Sequence, residues 1–196
     1  GYETLLLSEE TGDQQLRSII DTGMVDGVAL MDVTMNDPRI ELAQLSSIPL
    51  ISIGHPMNEI NVPCIDTDFI EMGEMIMQTL CRNGHSRILF AGGKEIDYER
   101  NGGANYLIRL RASMHDAAAR YKIHIDEEFT DEDDFDAAEN LLERFISSEN
   151  TAIVTQGGPL FLNNLVAATR QRGMKIPQDL SLISAGNVFL MPVLKL

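Results

Sequence analysis

The stretch Leu80 to Gly93, LCRNGHSRILFAGG, finishes a helix, stops it and begins a buried strand. Asn83-Gly84 closes the helix, because a glycine just past the last turn takes up the left-handed conformation without steric cost. The apolar run Arg87 to Ala91 then reads as a strand, and Gly92-Gly93 turns the chain where it ends. Upstream, Phe69 to Arg82 carries Ile70, Gly73, Met77 and Leu80 at helical spacing, and a short extended piece, Val62 to Asp66, leads into it.

The same alternation continues in both directions. Toward the N-terminus it reads as a strand at Tyr2 to Ser8, a helix at Asp13 to Thr22, a buried strand VDGVALM at Val25 to Met31, a helix at Asp37 to Leu45 and a strand IPLISIG at Ile48 to Gly54. Toward the C-terminus, helices fall at Asn105 to Tyr121, Asp136 to Ser147 and Leu160 to Arg172. Apolar segments separate them at Ile123 to Phe129, Thr151 to Thr155 and Leu180 to Ser184. Such regular alternation predicts an α/β fold with parallel sheets flanked by helices.

Composition narrows the function. With 196 residues and 44% hydrophobic content the chain can bury a substantial core, in one ordinary domain or two small lobes. No apolar run approaches the length of a membrane span, and no charged-then-apolar leader opens the sequence. The formal charge of -15, from 30 acidic against 15 basic residues, repels polyphosphate, so this segment by itself is not expected to bind DNA. Cys64 and Cys81 show no zinc or redox spacing and read as two buried, reduced thiols of a cytosolic protein.

The motifs of common chemistries fail at specific positions. Gly92-Gly93-Lys94 lacks the spacing of a phosphate loop and has Glu95 where Ser or Thr belongs, so it reads as a plain strand-to-helix turn. The acidic run Asp126 to Asp136 lacks the glycine and terminal glutamate of a calcium loop, and reads as a solvated loop with a negative helix N-terminus. His55, His85, His115 and His124 never pair within one helical turn, and no GxSxG elbow exists. Neither a catalytic residue, a metal site nor a cofactor is expected.

In order and spacing, several strings resemble the LacI/GalR family of sugar-responsive bacterial regulators. VDGVAL (Val25 to Leu30) resembles the family's VDG strand, IPLISIG its IP strand, and Asp66 to Asp68 the acidic turn before its next helix. Leu80 to Gly93 resembles its L-x-x-x-GH-x-x-I segment, and GMKIPQDLSLIS (Gly173 to Ser184) its G-x-x-IP-x-DLS string. The resemblance implies a periplasmic-binding-protein-like type I fold of two Rossmann-like lobes, here residues 1–66 and 67–196, incomplete at both ends. A first strand and helix are expected before Gly1, and closing elements after the hinge-like Pro192 to Leu196.

The resemblance also implies a small-molecule site between the lobes, at loops following the strands. Arg109, in IRLRASMHDAAARYKI, is similar to the family arginine that grips ligand hydroxyls or carboxylates, and Arg111 and Arg100 compete for that place. Ala112 and Ser113 stand where the family has glycine and an aromatic. Gln156-Gly157 replaces Asn-Asp, and Gly186 beside Asn187 replaces a ligand-binding aspartate. In the first lobe, Asp32 and His55 follow strands where family contacts fall.

Each polar anchor lost from buried hydroxyls costs roughly 1–3 kcal/mol, which disfavours an ordinary neutral sugar. With an arginine kept, a sugar phosphate or sugar acid becomes easier to hold. The expected protein is therefore the effector-binding and dimerisation core of a cytoplasmic LacI-type repressor, not an enzyme. It would meet operator DNA through a headpiece absent from this chain and would form a homodimer. The alternative is a solute receptor of a transport system with the same fold.

Overall fold

The computed structural model describes residues 1, 3–7, 12–56, 61–99 and 103–186. The chain forms two compact units, Gly1–Thr67 with Glu99–Tyr106, and Asp68–Tyr98 with Leu107–Leu196. The first contains helices α1 (Gly12–Thr22) and α2 (Pro38–Leu45) and strands β1 (Val28–Leu30), β2 (Leu50–Ile53) and β3 (Cys64–Ile65). The second contains α3 (Phe69–Arg82), β4 (Arg87–Gly92), α4 (Asn105–Tyr121), β5 (His124–Phe129), α5 (Phe135–Ile146), β6 (Ala152–Thr155), α6 (Pro159–Gln171) and β7 (Ser181–Ser184), with a 3-10 turn at Glu95–Tyr98. The α/β class with parallel sheets is as the sequence leads one to expect.

The first sheet runs β1-β2-β3, all parallel, with Val28 opposite Leu50 and Ser52 opposite Cys64. One face packs Leu30, Val33 and Val62 against Leu16, Ile40 and Ala43 of the two helices. Ile53 and Ile65, paired across β2 and β3, are exposed. Asp37 starts α2: its Oδ1 accepts from the Arg39 amide at 3.0 Å, satisfying a helix donor that has no partner inside the helix. The segment around Ala104 joins this unit through an antiparallel bridge to Thr34 and a hydrogen bond from Asn105 Nδ2 to the His55 carbonyl.

The second sheet runs β5-β4-β6-β7, again parallel, with Ala91 opposite Thr155 and Thr155 opposite Ser184. Its central strands are buried on both faces, which is why β4 and β6 read as continuous apolar runs. Leu89, Ile153, Leu142, Phe161 and Leu165 belong to one core cluster, while Phe90, Met77, Leu110 and Met114 are also buried. Asp68 caps α3 and Asp134 caps α5. Gly84, at φ 83°, makes the turn after α3 that a side chain would strain.

Three expectations need correction. Cys64 is part-exposed and Cys81 exposed, since Cys81 falls one position past Leu80 and off the face that α3 packs inward. Residues 3–7 form no strand, and Leu5, Leu6 and Leu7 are exposed; hydrophobicity alone does not make a strand without a neighbour to supply ladder hydrogen bonds. The acidic run does not begin as a solvated loop, because Asp126 to Phe129 belongs to β5 and is half-buried. Its carboxylates meet arginines from other elements: Arg87 at Asp126 (3.3 Å), Arg111 at Glu127 (2.5 Å) and Arg144 at Glu128 (2.8 Å). Asn187 and the hinge-like residues 192–196 lie outside the described residues.

Candidate functional site

In the second unit the chain leaves β4 toward β5 on one side and returns to β6 on the other. The sheet order therefore reverses between β4 and β6. At such a switch point the two loops diverge and leave a crevice beyond the strands' carboxyl ends, the usual place for a ligand on an open parallel sheet. The residues that border it are Gly92 at the end of β4 and Gly93 after it, Gln156 and Gly157 after β6, and Gly186 after β7.

These loops are tied together. The Tyr98 hydroxyl, on the 3-10 turn after β4, donates to Gln156 Oε1 at 2.9 Å, and the Gln156 amide donates to the Ala91 carbonyl at 3.0 Å. Thr155, fully buried, accepts from the Gly157 amide through Oγ1 at 2.9 Å and so shapes the turn. A side chain at Gly157 would lie 2.5 Å from the Phe161 ring, and one at Gly92 would lie 2.6 Å from the Phe129 ring. A side chain at Gly186 would sit 3.8 Å from the Gln156 and Gly157 carbonyls, so these three sequence candidates come together. Ser184 Oγ, at the end of β7, is buried without a hydrogen-bond partner.

Arg111 closes the other side of Tyr98. Its guanidinium carbon lies 6.0 Å from the Tyr98 ring centroid and 5.5 Å from that of Phe129, within cation–π range. Its Nε and Nη2 donate to the two oxygens of Glu127 at 2.7 and 2.5 Å, and His115 Nε2 lies 2.9 Å from Glu127 Oε1. Burial alone would raise the Glu127 carboxyl. The hydrogen bonds from Arg111 and His115 outweigh it and hold that carboxyl below the usual glutamate range. The same pairing raises Arg111.

Arg109 and Arg111 both lie on α4, where residues two apart are separated by about 200° around the axis. They cannot serve the same spot. Arg109 is half-buried on another flank, and Arg111 lies over the ring of Tyr98, whose hydroxyl bonds Gln156. Tyr98 and Arg111 are the functional candidates that sequence reasoning did not bring forward as contacts. Tyr98 shows no motif, whereas Arg111 was visible as a rival for the family position.

A cavity of about 200 Å³ opens at this end of the sheet, walled by Ala91, Phe129 and Leu141, with Glu128, Glu132 and Asn140 supplying polar groups. A larger hollow of about 470 Å³ lies by Asn150, Arg172 and Asp179, where the strands begin, and is remote from the switch point. Neither is lined by Gln156, Gly157 or Gly186: the first lies at the carboxyl ends of β4 and β5, the second at the opposite end of the sheet.

The first unit places its two candidates at the ends of β1 and β2. Asp32 has φ 52°, and Arg39 Nη2 donates to the Met31 and Asp32 carbonyls at 3.1 and 3.0 Å, leaving the Asp32 side chain at the surface. The same arginine grips Asp37 through Nε (2.9 Å) and Nη2 (2.6 Å). The His55 amide donates to Asp66 Oδ2 at 3.0 Å. His55 Nδ1 lies 2.6 Å from the Pro56 carbonyl, which can only accept; Nδ1 therefore carries the proton. Asn105 is almost fully buried, with Oδ1 unpartnered beside this cluster.

Among the described residues, no three His, Cys, Asp or Glu side chains gather as a metal site, and no helix is long and apolar enough to cross a membrane.

Comparison with known proteins gives these geometries a context. A family profile described as "Periplasmic binding protein-like domain" matches residues 77–194, more than half of the chain. The chain is 29% identical over 200 residues to the HTH-type transcriptional regulator AglR of Rhizobium meliloti, spanning 95% of this chain and 51% of that protein. It is 20% identical to catabolite control protein A of Staphylococcus xylosus, over 99% of this chain and 58% of that one. The chain thus spans about half the length of these curated relatives. The crystal structure of a LacI family transcriptional regulator from Bifidobacterium animalis superposes with a TM-score of 0.79 at 21% identity, covering 94% of this chain and 66% of that chain, which shows the shared fold. These relatives are named as transcriptional regulators, not as enzymes.

Proposed function

Because the chain belongs to the periplasmic-binding-protein-like domain family, we propose that it is the small-molecule-sensing core of a LacI-type transcription regulator. The observation that carries this reading is the meeting of Tyr98, Gln156, Gly157 and Gly186 at the carboxyl ends of β4, β6 and β7. The Gln156 side-chain amide next to the Tyr98–Phe129 ring pair, with an unpartnered Ser184 hydroxyl at the end of β7, suits a small polyhydroxyl effector of the sugar class. Asp32, His55 and Arg109 are further contact candidates, as is Asn187. In the whole protein, effector binding would bias a cytoplasmic homodimer toward one arrangement and thereby change operator binding through a separate DNA-binding headpiece. The effector must prefer that arrangement, since equal affinity for both shifts nothing.

The test is a thermal-shift screen of the chain against neutral sugars, sugar phosphates and sugar acids. A ligand at 100 times its dissociation constant adds about 2.7 kcal/mol of stability. A hit lost in Gln156→Ala supports the site at the switch point. A hit unchanged by both Gln156→Ala and Arg109→Ala places binding elsewhere. An operator-binding assay with the full-length protein then asks whether the same ligand alters DNA affinity; a ligand that binds without altering it would point instead to a solute receptor.

A further inference from the structure

Resting on the sensing role assigned above, we propose that Glu127 is a built-in counter-anion for Arg111, so that the second unit's part of the effector site accepts uncharged or cationic molecules and refuses phosphates and carboxylates. A bare guanidinium over the Tyr98 ring would be the natural grip for an anion, since its planar fork matches two oxygens at once. Glu127 already fills that fork, with Oε1 2.7 Å from Nε and Oε2 2.5 Å from Nη2. His115 holds the same carboxylate from the next turn of α4, at 2.9 Å.

The exchange is unfavourable for an incoming anion on three counts. The Glu127 side chain is only 19% exposed and that of Arg111 35%, so their attraction is screened less than that of a surface pair. A carboxylate fixed on β5 competes as an intramolecular partner, whereas a free anion must supply its own concentration. The loops that follow β4 and β5 carry Glu95, Asp97, Glu99, Asp131, Glu132, Asp133 and Asp134 against Lys94 and Arg100, a net negative charge that repels a further anion. An uncharged hydroxyl compound displaces nothing and leaves the Arg111–Glu127 pair intact. At Arg111 the expected preference is thus opposite to the one the sequence argument attached to Arg109.

The experiment follows the Arg111 side-chain Nε–H signal of the 196-residue chain by nitrogen-15 NMR, assigned with Arg111→Lys. Inorganic phosphate is titrated through the millimolar range at constant ionic strength, with chloride as the balancing ion. The wild-type signal is expected not to follow phosphate. In Glu127→Gln, of the same shape but neutral, the signal should shift saturably, with phosphate affinity raised at least about tenfold, and the response should vanish when Arg111→Met is added. A saturable shift in the wild type overturns the proposal, as does a folded Glu127→Gln that ignores phosphate. If Glu127→Gln fails to fold, the wild-type titration still decides. Failure of every effector in the thermal-shift screen would sink the sensing role but leave this readout of Arg111 unchanged.

Discussion

The two sheets of this chain are built from the same kind of strand and buried to very different extents. Every residue of β6 and all of β4 after Arg87 is buried, whereas β1 and β2 each bury one residue, Leu30 and Ser52. Helices cover both faces of the central strands in the second unit. In the first, α1 and α2 pack on the side of Leu30 and Val33, and Ile53 and Ile65 remain exposed. Yet each unit carries a part-buried arginine–carboxylate clasp near its strand ends, Arg39 with Asp37 in the first and Arg111 with Glu127 in the second. Burial of apolar surface sets how strongly each unit holds together, while the clasps set how its loops are posed; the two can be separated by mutation.

The largest effect is expected in the second core. Phe90, 1% exposed, meets Tyr98 and Phe129 edge-on with centroids 6.1 and 6.2 Å away. Phe90→Ala should cost about 3–5 kcal/mol, and Leu30→Ala, in the thinner first core, about 2–3 kcal/mol. Urea unfolding of both variants measures this. Native-state hydrogen exchange should also find β4 and β6 amides slowest and β1 and β2 amides faster. A Leu30→Ala penalty equal to that of Phe90→Ala would break the comparison.

That contrast bears on what could be read in advance. α3 and α4 lie where periodicity and caps placed them, because Gly84 and the Leu80 and Met77 spacing are local signals. The run Leu5 to Leu7 misled because a strand is defined by its neighbour, and no local pattern reveals whether one exists. The acidic run misled for a related reason: the arginines that neutralise it, Arg87, Arg111 and Arg144, come from three different elements. At the candidate site, Gln156, Gly157 and Gly186 were named through family resemblance. Tyr98 was not, since its role lies in one hydroxyl contact to a residue 58 positions away.

A packing test sharpens the contrast from within the second unit. Gly73 on α3 faces Ser113 on α4 so closely that an added Cβ would lie 2.5 Å from Ser113 Oγ and 2.9 Å from the Met114 amide nitrogen. Gly73→Ala should therefore destabilise by about 1–3 kcal/mol through overpacking. Adding Ser113→Gly should return part of that loss by clearing the nearest atoms, although the Ser113 hydroxyl's bond to the Ile70 carbonyl goes with it. A double variant no more stable than Gly73→Ala, measured by denaturant midpoint, would mean that backbone separation and not Ser113 limits the crossing. In the first unit, Asp37→Ala removes the α2 cap and should cost about 1–2 kcal/mol. The remaining Arg39 side chain is part-exposed and can return to water.

The smallest effect at neutral pH, and the one that discriminates the clasps, is their response to acid. Burial alone would raise the Asp37 carboxyl. Hydrogen bonds from the Arg39 side chain and from the Arg39 and Thr34 amides outweigh it, so its folded value lies below the ordinary one. Glu127 is depressed in the same net sense. For a depressed carboxyl the stabilisation is fully present above the unfolded value and disappears as pH falls through the folded value. Between pH 7 and 5 neither carboxyl contributes a change, whereas His85, which burial holds below the usual histidine range, withdraws some stability from the second unit there. The loss from the clasps should set in below about pH 4, where unfolded carboxyls take up protons. Asp37→Asn should flatten that acid limb for amides of the first unit only, and Glu127→Gln for amides of the second only, as read by hydrogen exchange across the acid range. If either variant flattened both limbs, the two clasps would belong to one cooperative unit and the separation drawn from their cores would fail.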